Sequence, residues 1–331
     1  MPDAPGRLPP SMTPAEAIGV DLGGTKLLLG VLDPESNVVF ESRQASAERS
    51  EDELVELVVG EVEKARSARP GIEAVGLGIP ATIDQRRGAA VSAVNLPIAD
   101  LEIRDLVSSR VGLPVSVDND ANVAALAEHL HGAARGSKNA VMLTIGTGIG
   151  GGLIIDGELY RGSTGAGAEL GHVPIELDGP PCQGNCPGRG CLETMASGTA
   201  LGREGREAAQ REPGSALGEM LAAGRELDGR AVTEAAKAGD ATAIGVFDLV
   251  GTRLGAALAG FANIFEPEVI VIGGGVIAAG DLLLEPARRE LRARALPPMN
   301  RTQVSVAELG AGAGMIGAAA LARIELERVR P

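Results

Sequence analysis

The chain has 331 residues, and 44 acidic side chains against 30 basic ones give it a formal charge of −14, which excludes nucleic-acid binding by bulk electrostatics. The length suits about two domains, and with 44% hydrophobic residues sizeable cores can form without disulfide staples. With no Trp, one Tyr and four Phe against 47 Gly, any pocket has to work through backbone groups and polar side chains rather than stacked rings.

The first 16 residues hold five prolines and no periodicity, and read as a disordered leader, residues 1–16. They lack the charged-then-apolar pattern of a secretory signal, and no apolar run reaches the roughly 18 residues of a membrane span, so a cytoplasmic protein without a membrane partner is expected. Ala17–Asp33 is an apolar run, a Gly-Gly turn and a second apolar run, the pattern of a β-hairpin. Val38–Phe40 offers a third strand. Ser50 followed by Glu53 is a capping box, and Leu54, Leu57, Val58, Val62 and Ala65 recur at helical spacing until Pro70-Gly71. Ile72–Ile79 and Val115–Val117 read as strands, the second running into Asp118-Asn119-Asp120. Val123, Leu126, Ala127 and Leu130 mark a helix closed by Gly132, on which His129 and His131 are expected to be solvated.

Met142–Gly157 repeats the layout of the first hairpin at a constant offset of 123 residues, with Gly23 mapping to Gly146 and Asp33 to Asp156. Asp21 falls on Thr144 and Gly24 on Thr147, so the two loops need not do the same job. A repeated strand, Gly-loop, strand unit points to an α/β fold of two related domains around a cleft. Ala231–Ala238 and Ala241–Phe261 are helix-compatible, Val269–Ile272 is a central strand that breaks into Gly273-Gly274-Gly275, and Gly314–Arg328 is an amphipathic helix expected to pack on the first domain. The expected division is therefore 17–120 with the C-terminal helix 314–331, and 121–313.

Glycine loops let backbone N–H groups approach an anion closely, and phosphate is the obvious guest. Gly23, Gly24, Thr25 and Lys26 form the first such loop, Gly146, Thr147 and Gly148 the second, and Gly273, Gly274 and Gly275 the third. Asp21 could hold a hydrated Mg²⁺. An ordinary hairpin turn is the alternative for DLGGTK alone, and this loop is not a Walker sequence. Asp120 stands where a strand gives way to a helix N-terminus. It can cap that helix, as Asp118 or Asn119 could, or accept a proton from a substrate hydroxyl during phosphoryl transfer.

All three cysteines, Cys182, Cys186 and Cys191, fall in one ten-residue window, and His172 precedes them by ten residues. An odd local set argues for a metal site rather than a disulfide framework, and Cys₃His is the composition of a closed structural Zn²⁺ site. Glu169 and Glu193 flank it. With His172 and the amides of Asn95 and Asn119 they would satisfy a ring of sugar hydroxyls, although surface carboxylates are the commoner reading of two Glu.

Eight stretches in order, DLGGTK at 21–26, NLP at 95–97, NDAN at 119–122, IGTGIGGG at 145–152, ELGH at 169–172, CPGRGCLE at 186–193, EPEVIVIGGG at 266–275 and GAGMIGAAALA at 312–322, make the chain resemble the ROK family of sugar kinases and regulators, its bacterial glucokinases in particular. The resemblance implies an actin-like ATPase (ribonuclease H-like) fold and an ATP-dependent glucokinase with ATP, Mg²⁺ and structural Zn²⁺. In it Asp120 is the general base for the sugar 6-hydroxyl, and Asn95, Asn119, Glu169, His172 and Glu193 bind the other hydroxyls. Asp21 and the three glycine loops hold MgATP, and His172 both ligates zinc and touches the sugar. Sugar and nucleotide are then the partners of a homo-oligomer, dimer or tetramer. The chain departs from the family's common C-x-C-x4-C spacing with C-x3-C-x4-C, which leaves Cys182 as the ligand the resemblance supports least, water or another residue being the alternative. Kinases for fructose, N-acetylglucosamine or N-acetylmannosamine fit the same motifs. A sugar-responsive regulator fits less well, because only about 16 residues precede the first strand and a DNA-binding helix-turn-helix needs roughly 60–80.

Overall fold

Apolar residues on either side of Gly23-Gly24 pair as antiparallel strands β1 (Glu16–Leu22) and β2 (Lys26–Leu32), with Ala17 opposite Leu32 and Leu22 opposite Leu27. The computed structural model describes residues 15–184 and 186–330. The leader expected over 1–16 lies outside the described residues as far as 14, and Glu16 already belongs to β1. Strand β3 (Val38–Ala45) adds to β2. Helix α1 (Glu51–Ala68) starts at the capping box: Ser50 Oγ accepts the Glu53 amide and the Glu53 carboxylate accepts the Ser50 amide at 2.7 Å, a cap worth about 1 kcal/mol.

Strands β4 (Ile72–Ile79) and β8 (Val115–Asn119) run parallel to β1, completing a sheet of order β3-β2-β1-β4-β8. Its core is Ile18, Val20, Leu27, Leu29 and Leu77 packed with Leu54, Val58 and Val62 of α1. Between β4 and β8 the chain makes a small antiparallel sheet of β5 (Ala81–Asp84), β6 (Ala89–Ala93) and β7 (Ala99–Leu101), then helix α2 (Ile103–Val111). Helix α3 (Asp120–His131) follows β8 directly.

The second hairpin keeps the offset almost to the residue, as β9 (Ala140–Ile145) and β10 (Ile149–Ile155). With β11 (Glu158–Leu159), β12 (Val269–Gly273) and β13 (Gln303–Val306) it forms a sheet of order β11-β10-β9-β12-β13, in which β12 is parallel to both neighbours. The intervening helices are α4 (Leu192–Ala196), α5 (Gly198–Arg211), α6 (Ala216–Ala222), α7 (Gly229–Lys237) and α8 (Ala241–Phe265), and α9 (Asp281–Arg294) lies between β12 and β13. Helix α8 is long and apolar enough to cross a membrane by length and composition, although Asp248 and Arg253 interrupt its apolar run. It packs against α4, α5, α7 and α9 and buries Phe247, Val250, Leu254 and Leu258, the burial of a core helix.

Helix α10 (Ala313–Val329) lies on β1, β4 and α3. Its backbone comes so close to the sheet that a Cβ on Gly19 or Gly76 would collide with the carbonyls of Met315 or Ala318. One expectation for α3 is corrected: His129 is buried rather than solvated, one turn beyond Ala125, which lies against Gly152 of β10. Two compact units result: the chain through Lys138 with Gly152–Ala168 and the stretch from Ala307 onward, and Asn139–Gly151 with Glu169–Val306. The first therefore runs past the expected limit at residue 120, because α3 packs with α10.

Candidate active site

In the first unit, register aligns Asp21, Gly78 and Asp118 across three parallel strands, so the strand ends deliver Asp21, Asn119 and Asp120 to one edge of the sheet. Of the three candidate caps, Asn119 is the one used: its Oδ1 accepts the amides of Ala121 at 2.9 Å and Asn122 at 3.3 Å. Asp120 then opens α3, with its own Oδ1 on the Ala121 amide at 2.9 Å. The Asp21 carboxyl is pushed up to about 6, by burial first and then by the negative charge of Asp120, while Lys26 pulls it back. Lys26 and Asp120 are thus both electrostatic neighbours of Asp21. The loop before Lys26 closes with the Gly23 amide on the Lys26 carbonyl at 2.9 Å, leaves Thr25 exposed, and rests through Gly24 on the backbone of Asn95.

Two supports of this edge carry no signal in the sequence. Asp118 is fully buried, accepts the Asn119 amide and the Asn122 side chain at 2.8 Å each, and pairs with the guanidinium of Arg161 in the loop after β11. Ser46, also buried, donates its hydroxyl to the Gly23 carbonyl. Both partners lie more than 20 residues from what they hold, beyond the reach of any local pattern.

In the second unit, the echoed loop closes differently, with the Gly146 amide on the Gly148 carbonyl at 2.9 Å. The start of α5 grips it: the Gly198 amide donates to the Gly146 carbonyl and Thr199 Oγ1 to the Thr147 carbonyl, each at 2.8 Å. Gly273 pairs with Thr144 on the adjacent strand, Gly274 sits at φ +89° against Ile145 where a side chain would collide, and Gly275 opens a 3-10 turn. The second and third glycine loops therefore meet. Glu193, in the first turn of α4, accepts the Ile149 amide on Oε2 at 2.8 Å.

His172 ends a 3-10 turn that starts at Leu170, and its Nε2 is 4.0 Å from Glu169 Oε2. Burial is the main reason that the Glu169 carboxyl lies above its usual range; the His172 charge opposes the shift and Glu193 adds to it. The other ring nitrogen, Nδ1, is 3.4 Å from Cys182 Sγ. The ligand atoms of His172, Cys182, Cys186 and Cys191 all lie within 4.8 Å of one another. Cys186 Sγ and Cys191 Sγ are 4.0 Å apart, close to the edge of about 3.8 Å in a tetrahedron of ~2.3 Å metal–sulfur bonds. The Gly188 amide points at Cys186 Sγ at 3.4 Å, a contact that supports a thiolate. Burial first, then the neighbouring thiols, push the Cys182 thiol up to about 12, so such a cluster ionises only around a cation. These residues fit a four-coordinate metal ion, and Cys182 stands with the other three despite the altered spacing.

The ROK family model matches residues 17–325. The chain belongs to the ROK family. It is 37% identical to a glucokinase of Streptomyces coelicolor over 92% of this chain and 97% of that one, and 36% identical to a glucokinase of Thermotoga maritima over 94% and 98%. Among solved structures, a ROK family glucokinase from Streptomyces griseus in complex with glucose and AMPPNP superposes with a TM-score of 0.81 at 37% identity, covering 93% of this chain and 99% of that one. This ROK chain accordingly has the α/β, actin-like ATPase fold that its motifs imply.

Proposed function

We propose that this ROK protein is an ATP-dependent glucokinase that phosphorylates the 6-hydroxyl of glucose, with Asp120 as general base. The observation that carries the reading is the placement of Asp120 as the first residue of α3, beside the partly buried Asp21, in a chain whose glucokinase relatives match it nearly end to end. Phosphoryl transfer asks mainly for positioning and charge neutralisation, so a carboxylate held at a helix start suffices to take the hydroxyl proton.

Asn95, Asn119, Glu169, His172 and Glu193 bind the remaining sugar hydroxyls, and Asp21, Lys26 and the three glycine loops receive the nucleotide. Mg²⁺, when bound beside Asp21, neutralises phosphate charge. His172, Cys182, Cys186 and Cys191 would hold Zn²⁺, whose role there would be structural; the His172 ring already turns Nδ1 to Cys182 and Nε2 to the Glu169 side. The test is a coupled ADP-release assay over hexoses and N-acetylhexosamines with wild type and Asp120→Asn. Glucose is expected to be the best acceptor, and the variant to lose about 10²- to 10⁴-fold in kcat at a similar glucose KM. Normal turnover by Asp120→Asn would remove the base assignment, and preference for another acceptor the glucose assignment.

A further inference from the structure

The Gly146–Gly148 loop is fixed by residues from the sugar-side segments. Ile149, the first residue after it, gives its amide to Glu193 Oε2 at 2.8 Å, and a Cβ on Gly148 would collide with that same oxygen. The carbonyl of Ile149 is covered by Gly171, where any side chain would strike it. Gly171 lies between Glu169 and His172, and Glu193 stands two residues beyond Cys191. The backbone of one residue next to the loop, Ile149, is therefore clamped between the ELGH turn and the helix that leaves the cysteine cluster. The Glu193 carbonyl accepts the Ser197 amide at 3.2 Å, and Ser197 caps α5, whose Gly198 and Thr199 hold the carbonyls of Gly146 and Thr147 from the other flank.

We propose that Glu193 is a positioning residue for the nucleotide: Oε2 holds the phosphate loop through Ile149, leaving the second oxygen for a sugar hydroxyl, so that one carboxylate serves both substrates. The proposal rests on the kinase reading and deepens it. Glu193 acts on the nucleotide through the Ile149 amide rather than by touching phosphate, and a hydrogen bond to a carboxylate is roughly twice as strong as a neutral one.

The experiment is calorimetric titration of MgADP into zinc-loaded protein without sugar, where a residue that only binds sugar is silent. Glu193→Ala is expected to weaken MgADP binding about tenfold. Glu193→Gln, which keeps an acceptor oxygen but loses the charge, is expected to weaken MgADP binding by less than the alanine variant while its glucose KM rises. Glu193→Asp, one methylene too short to reach the Ile149 amide, is expected to behave like the alanine variant toward MgADP and decides the question if that variant does not fold. Wild-type MgADP affinity in the shortened variants overturns the proposal. Glucose-dependent ADP release by the wild type is read in parallel, and its absence would instead sink the kinase reading.

Discussion

The two glycine hairpins have the same strand spacing and opposite surroundings. The first loop sits among charges: Asp120 and Lys26 act in opposite directions on the Asp21 carboxyl, and Asp118 is buried nearby with Arg161. The second replaces Asp21 by Thr144 and is gripped by neutral groups of α5 and by the Glu193 carboxylate through Ile149. Its fixation thus comes from the segments around the cysteine cluster. A repeated backbone supplies two glycine turns with different neighbours; on the kinase reading, one would also handle a cation and a proton while the other would only hold phosphate.

On the zinc reading, the sharpest way to break this contrast is to remove the metal. Chelation, or Cys191→Ser, is expected to lower kcat/KM by roughly 100-fold or more. Amide hydrogen exchange should rise in 146–149 and 169–193 and stay unchanged in β1 and β2. Equal loss of protection in both hairpins would show that the first also depends on the cysteine cluster.

Next in size is Arg161→Gln, which leaves the fully buried Asp118 without its cation. The expected cost is about 3–5 kcal/mol of stability in denaturant unfolding, with zinc content unchanged at one equivalent. A loss below about 1 kcal/mol would mean that the pair is dispensable to the charged edge.

The smallest effect distinguishes Asp21. Its carboxyl is pushed from 3.8 to about 6 in the folded chain, so between those values the native state binds more protons than the unfolded one, and stability falls as pH rises through that window. A shift of this size corresponds to at most about 3 kcal/mol. Asp21→Asn is therefore expected to raise the melting temperature of the nucleotide-free protein at pH 7, a gain that shrinks as pH drops from 6 to 4, while MgATP turnover falls. A pH-independent change in melting temperature would remove the electrostatic account.

What could be read from the sequence was local. The hairpin offset, the Ser50–Glu53 box and the four-residue Cys/His set rest on spacing and composition within a few turns of chain, and each reappears in the structure. The sheet of β5, β6 and β7 went unseen because its strands are three to five residues long with mixed polarity, and only their mutual pairing gives them a face. His129 was misjudged because the apolar stripe of α3 marks one buried face. That stripe, Val123, Leu126 and Leu130, is the face that packs on α10; a second face, carrying Ala121 and Ala125 one turn before His129, lies against Gly152 of β10, which the stripe cannot announce.

That seat of α10 has a consequence for biosynthesis. The helix that seals β1, β4 and α3 is made about 180 residues after α3 ends, so on the ribosome the first unit waits, its glycine-lined sheet face bare, while the whole second unit is synthesised. The second unit is continuous enough to fold during translation, whereas the first can close only in the last step. Chaperone demand, and the damage done by premature stop codons, should therefore concentrate on the half of the protein that is translated earliest.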